Sequence, residues 1–184
     1  MARYGIQGAT VTRIAEELGV APQSLYAHFK NRDEMLRAAM HALIAMTDSW
    51  FSSSDEPDIL RRLRVLGDTH LSFLAAQLDG FVIPAYEFIT APQSTGLPEA
   101  FGRGQLEQLH KIARIVDEGK AQGSIRNDID SMRAAWRVIV FAWAEDIAEM
   151  MGLHEFISQG ISGEILEVLL RDLAPEEATR SSPN

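Results

Sequence analysis

The sequence predicts an all-α fold, with an N-terminal helix-turn-helix module joined to a larger helical bundle. Apolar residues recur at spacings of three and four along nearly the whole chain, and no stretch alternates apolar and polar residues for long enough to make a strand. Capping residues and Gly/Pro breaks fall at the ends of those stripes, where helices must stop. With 184 residues, 46% of them hydrophobic, the chain can fill a sizeable core.

The first helix is expected from about Thr10, an N-cap, to Leu18, with Val11, Ile14, Ala15 and Leu18 on one face. Gly19 closes it in the left-handed conformation. A second helix starts near Pro22, a residue suited to a first helical position, and turns Leu25 and Phe29 inward. Asn31 and Glu34 have the spacing of a capping box, and Leu36, Met40, Leu43, Thr47 and Trp50 continue a third stripe to the break "SSSDEP". Further helices are expected at about 58–78, 81–91, 98–122, 130–151 and 158–173, separated by "TAPQSTGLP", "QGSIRNDID" and "MGLHEF". The pattern divides the chain into a front module (1–37), a body (38–176) and a disordered tail (177–184).

The chain contains no cysteine, which excludes disulfides and thiolate metal sites and fits a reducing compartment, so a cytoplasmic location is expected. No apolar run approaches the roughly 20 residues needed to cross a bilayer, and no membrane partner is expected. Charge is unevenly placed. Up to Arg37 there are five Lys/Arg and four Asp/Glu, whereas the remainder carries twelve and twenty-two. Only the front end can approach a polyanion without strong repulsion.

Two helices joined by a tight turn through Gly19 form the arrangement whose second helix enters a DNA major groove. With Leu25 and Phe29 anchored, the opposite side of that helix, about 10 Å long at 1.5 Å per residue, shows Gln23, Ser24, Ala27 and His28 to solvent. Gln23 can read adenine through two hydrogen bonds, and Ser24 is small enough to let the backbone approach. Tyr26, His28, Lys30 and Arg32 are placed as phosphate donors that set register. Thr10 and Thr12, at the start of the preceding helix, can offer hydroxyls and amides to another phosphate.

The order "TVTRIAEELGV" followed by "SLYAHFKNRDEML" resembles the tetracycline-repressor (TetR-like) family of bacterial regulators, over roughly Gly5 to Leu36. The resemblance implies a dimeric helical fold, a palindromic double-stranded operator and a carboxy-terminal body that binds a small-molecule effector. It places Thr10 at a phosphate-facing position, Tyr26 and His28 at aromatic and imidazole contacts, and Arg32 where a lysine usually grips the backbone. Gln23 and Ser24 fall in the variable, base-facing part. Two departures stand out. Ala21 replaces the usual Ser cap of the second helix, a loss of about 1 kcal/mol. The helix that precedes this motif in the family is represented by only its last turn, "MARYG", so Ile14, Leu18 and Phe29 are expected to lose cover.

In the helix expected at 130–151, Met132, Trp136, Ile139, Trp143, Ile147 and Met150 make one stripe, expected to face the interior. Val140, Ala144, Ala148 and Met151 make a second, expected to pack on a partner subunit together with Ile161, Ile165, Val168 and Leu169 of the last helix. Packing within one chain would bury both stripes equally well. Trp50, His70, Phe73, Phe88, Trp136 and Trp143 are candidates to line an effector pocket, although such stripes also serve as plain core. The helix from Asn31 to about Phe51 is the expected lever between pocket and front module.

No enzyme, cofactor or metal site is expected. Glu107 and His110 have the spacing of a di-iron helix, but that site needs a second copy and two further carboxylates. "HEFIS" at His154 lacks the closing histidine of a zinc-protease helix. The competing reading is a helical dimer that binds a small molecule or a protein and has lost DNA binding with its first helix. Salt separates the two, because phosphate contacts weaken steeply as ionic strength rises.

Overall fold

Helix ends follow capping chemistry throughout the computed structural model, which describes residues 5–52, 54–76 and 82–175, the side chains of 47, 48, 50–52 and 82–85 excepted. The helices are α1 (Gly5–Gly8), α2 (Val11–Leu18), α3 (Pro22–Tyr26), α4 (Arg32–Ser52), α5 (Ile59–Ala75), α6 (Val82–Thr90), α7 (Leu97–Gln122), α8 (Ser131–Met150), α9 (His154–Ser158) and α10 (Ile161–Leu173). Thr10, Asp58 and Asp130 each accept a hydrogen bond from the backbone three residues on, capping α2, α5 and α8. Among the described residues no strand occurs. No helix is long and apolar enough to cross a membrane.

One expected boundary is revised. The linker read at "MGLHEF" carries a helix of its own, α9, separated from α10 by Gly160 at φ 84°, a conformation glycine adopts without strain. The last residues, 176–184, including the expected tail at 177–184, lie outside the described residues.

Packing groups the chain into two compact units, residues 1–47 with 79–105, and residues 48–78 with 106–184. The unit that holds the front module thus reaches well beyond residue 37. In it, Ala15 of α2, Leu25 of α3 and Met35 of α4 form a small core with Val11, Ile14 and Phe29 against it. A second core in the same unit joins Ile6 and Ala9 to Leu36 and Met40 of α4 and to Phe88 of α6, Leu97 and Phe101 of α7. Leu18, expected on the inner face of α2, is exposed.

The other unit is built on Ile59 and Leu63 of α5, Ile112 and Val116 of α7, Ile125, the α8 residues Ala134, Ala135, Ile139 and Phe141, and Leu166, Leu170 and Leu173 of α10. Here α8 departs from expectation. Met132, Trp136, Ile147 and Met150, read as an inward stripe, are exposed, and only Ile139 of that stripe is buried. The inward face is instead Ala134, Ala135, Phe141 and Glu145. Small residues at 134 and 135 let α8 lie close to the core, where Ile139 and Phe141 join them, and Met132, Trp136, Ile147 and Met150 are left outside.

Close approach also explains Gly119 of α7. A Cβ there would overlap Ile125 and Ile59, both fully buried. Gly119→Val should lower stability by about 1 to 3 kcal/mol, as overpacking does, and urea denaturation should show the lowered midpoint.

Candidate nucleic-acid interface

The reading helix is positioned by two chemical devices. Gly19, at φ 66°, ends α2, and Val20 returns its amide to the Ala15 carbonyl at 3.0 Å, so the chain reverses within three residues. Pro22 then begins α3 directly after Ala21, whose side chain makes no capping bond. Burial of Leu25 on one side of this five-residue helix sends the other side outward.

Gln23, Ser24, Tyr26, His28 and Lys30 are all exposed, as are Thr10 and Thr12. Tyr26 is 55% exposed, high for an aromatic side chain in a folded unit. The Thr10 hydroxyl accepts from the Arg13 amide at 3.3 Å, fixing the start of α2. Behind Lys30, Asn31 accepts from the Glu34 amide at 2.9 Å while the Glu34 carboxylate takes the Lys30 amide at 2.6 Å. This capping arrangement fixes the backbone that carries Lys30 while its ammonium stays outside. The surface therefore presents hydrogen-bonding groups and one ammonium along a short convex edge, suited to a groove and its flanking phosphates.

Arg32 behaves differently from its expected role as a phosphate grip. Its guanidinium donates to the Ala9 carbonyl at 2.9 Å and to the Ile6 carbonyl, and lies 4.0 Å from Asp33. On the other side of α1, the Ile6 amide donates to the Glu87 carboxylate of α6. Arg32 and Glu87 thus brace the two polar ends of a single helical turn. That turn is too short to be stable alone. The sequence signal was an arginine inside the Asn31–Glu34 capping box, at the first position of α4.

The effector candidates divide between the units. Phe88 is fully buried in the first unit's core, its ring 6.3 Å from that of Phe101, so it is core. The side chain of Trp50 lies outside the described residues. In the second unit, His70 Nε2 stands 3.3 Å from the Ala142 carbonyl oxygen and 3.3 Å from Asp146 Oδ1 of α8. Phe73, one turn along α5 from His70, and Trp143, next to Ala142, are half-buried. Trp136 is on the exterior and meets Trp143 edge to face at 5.5 Å.

Sequence reasoning missed a shallow groove of about 630 Å³ in this unit, lined among others by His110, Arg114, Asp117, Lys120, Asp128 and Ser131. None of the five expected effector residues whose side chains are described, His70, Phe73, Phe88, Trp136 and Trp143, lines it. Its polar groups engage one another: Lys120 donates to Ser131 at 2.8 Å, Ser131 donates to Asp117, and the Arg126 guanidinium holds the Asp128 carboxyl below its usual range.

On the expected partner surface, Val140, Ala144, Met151, Ile161, Ile165 and Val168 are exposed, and Ala148 and Leu169 are half-buried. Met132, Trp136, Ile147 and Met150 of α8 join the exposed apolar set.

Residues 1–39 match the model of a family described as bacterial regulatory proteins, tetR family. The chain is 34% identical over 89 residues to the tetracycline repressor protein class C of Escherichia coli, a match that spans 48% of this chain and 41% of that repressor. A putative fatty acid metabolism regulator of Clostridium perfringens superposes with a TM-score of 0.74 at 19% identity, over 95% of this chain and 94% of that one. The transcriptional regulator FadR of Bacillus subtilis, solved with stearoyl-CoA, superposes with a TM-score of 0.71 at 20% identity, over 94% of this chain and 92% of that one. Those regulators share the fold from end to end, a helix-turn-helix module followed by a helical bundle. The chain is TetR-like, and its residues 1–39 are similar to the amino-terminal module of the bacterial regulatory proteins of the tetR family.

Proposed function

We propose that this chain is a sequence-specific, DNA-binding transcriptional repressor that works as a homodimer on a palindromic operator and is released by a small-molecule effector. The observation that carries the reading is the outward side of α3. Gln23 and Ser24 stand exposed opposite a buried Leu25, with Tyr26, His28 and Lys30 exposed beside them. Gln23 and Ser24 read bases, while Tyr26, His28, Lys30, Thr10 and Thr12 meet phosphates. Arg32 contributes by holding α1 in place and makes no phosphate contact.

The homodimer is supported by the apolar set on α8 and α10. Trp136, Val140 and Ile147 of α8 and Ile165 and Val168 of α10 are large apolar side chains left exposed, and such a set on two neighbouring helices is what a partner subunit would cover. A two-fold dimer on a palindromic operator requires its two copies of α3 to enter successive major grooves, about 34 Å apart. The effector is an amphipathic molecule held in the second unit near Phe73 and Trp143. Fatty acyl-CoA thioesters are the first class to test, because the Bacillus subtilis neighbour was solved with one. Such a ligand releases DNA only as far as it prefers the conformation in which the reading helices leave their half-site spacing.

The decisive test is selection of bound sequences from a random duplex pool, followed by fluorescence anisotropy on the enriched site. An inverted repeat should emerge, and a pool that enriches nothing overturns the reading. Gln23→Ala should cost about 1 to 3 kcal/mol of discrimination at one base pair of each half-site. Lys30→Ala should weaken binding to all sequences alike and reduce the salt slope by about 1 per subunit. Arg32→Ala should leave the salt slope unchanged while speeding hydrogen exchange in residues 5–9. A charge on the apolar surface, Val168→Glu, should shift sedimentation from dimer to monomer with helicity retained.

A further inference from the structure

We propose that Glu145 and Asp146 set the rotation of α8 about its own axis, and so decide which of its apolar faces is offered to a second copy of the chain. The second half of this statement rests on the homodimer proposed above; the first half concerns a single subunit.

Both sides of α8 carry apolar residues. Met132, Trp136, Val140 and Ile147 lie on one side, with the exposed Arg133 and Arg137 beside them, and Ala134, Ala135, Val138, Ile139 and Phe141 lie on the other. Apolar spacing does not by itself fix the angle at which such a helix settles. In the observed rotation Ala134 and Ala135 are fully buried and Trp136 is exposed.

Two consecutive carboxylates account for it. Glu145 is buried and accepts a hydrogen bond from the hydroxyl of Ser162, itself buried in the first turn of α10. Asp146, about 100° further round the helix, faces His70 of α5 at 3.3 Å, and the same imidazole nitrogen lies 3.3 Å from the Ala142 carbonyl oxygen. Neighbouring residues on one helix are thereby tied to two different helices, which defines an angle as a single contact does not. Rotating α8 by half a turn carries both carboxylates away from Ser162 and His70 and leaves a buried hydroxyl unmatched. Polar groups inside an apolar interface commonly select one packing register among several of similar apolar burial. At this position the selected register leaves Trp136, Val140 and Ile147 on the outside, continuous with Ile165 and Val168 of α10.

The native chain has no cysteine, so single-cysteine reporters read the rotation directly. Val140→Cys marks the outer face and Ala135→Cys the inner. Thiol labelling is measured at a dilution where sedimentation shows monomer. In the otherwise native chain the outer reporter should label fast and the inner one slowly. Adding Glu145→Leu and Asp146→Leu together should collapse that contrast and weaken self-association by about tenfold or more, with helical circular dichroism retained. Glu145→Gln, which can still accept from Ser162, should keep the contrast. Should the double variant lose its helicity, Ser162→Val combined with Asp146→Asn is read in the same way. Unchanged labelling in a folded variant overturns the proposal. A native chain that stays monomeric at every concentration overturns its second half together with the homodimer, while the labelling contrast still decides the first.

Discussion

The burial of Leu25 against Ala15 and Met35 is the contact on which the reading surface depends. A helix of five residues has no stability of its own, and its orientation comes entirely from what it packs against. Once Leu25 is held, Gln23 and Ser24 must point away from the core, because their side chains leave the helix on the opposite side. The left-handed glycine at position 19 sets where this helix starts relative to α2, and Pro22 starts it without the need for a capping side chain. Gln23 and Ser24 can then vary without cost to the fold, since neither takes part in the core.

Arg32 and Glu87 extend that logic to the amino terminus. A single helical turn survives because both its carbonyl and amide ends are satisfied from outside, by a guanidinium of α4 and a carboxylate of α6. Two hydrophobic residues of the segment, Ile6 and Ala9, add it to a core that also contains Phe88, Leu97 and Phe101. The unit that carries α3 is therefore assembled from segments far apart in the chain, and its integrity is tied to α6 and to the start of α7. Any event that shifts α6 acts on α1 through a charged hydrogen bond, which falls off steeply as its geometry worsens.

In the second unit the physical question is which surface of α8 stays dry. Alanines at 134 and 135 allow close approach to the core, and the polar ties at 145 and 146 keep that side inward. Trp136, Val140 and Ile147 are left outside by that rotation, so under the proposed homodimer the facing of α8 inside one chain also sets the surface open to a second.

Local rules were enough to place almost every helix. Caps at Thr10, Asp58 and Asp130, the Gly19 stop, the Pro22 start and the apolar spacing of three and four are all properties of neighbours along the chain, and they also marked Gln23, Ser24, Tyr26, His28 and Lys30 as outward. Three features required the folded chain. The role of Arg32 depends on carbonyls 23 and 26 residues away. Phe88 went to a core that its own helix does not announce. The facing of α8 could not be read from periodicity, because a helix apolar on both sides has no preferred inward direction until a partner such as Ser162 or His70 supplies one. Periodicity reports how residues share a face, and only contact with another element says which face is buried.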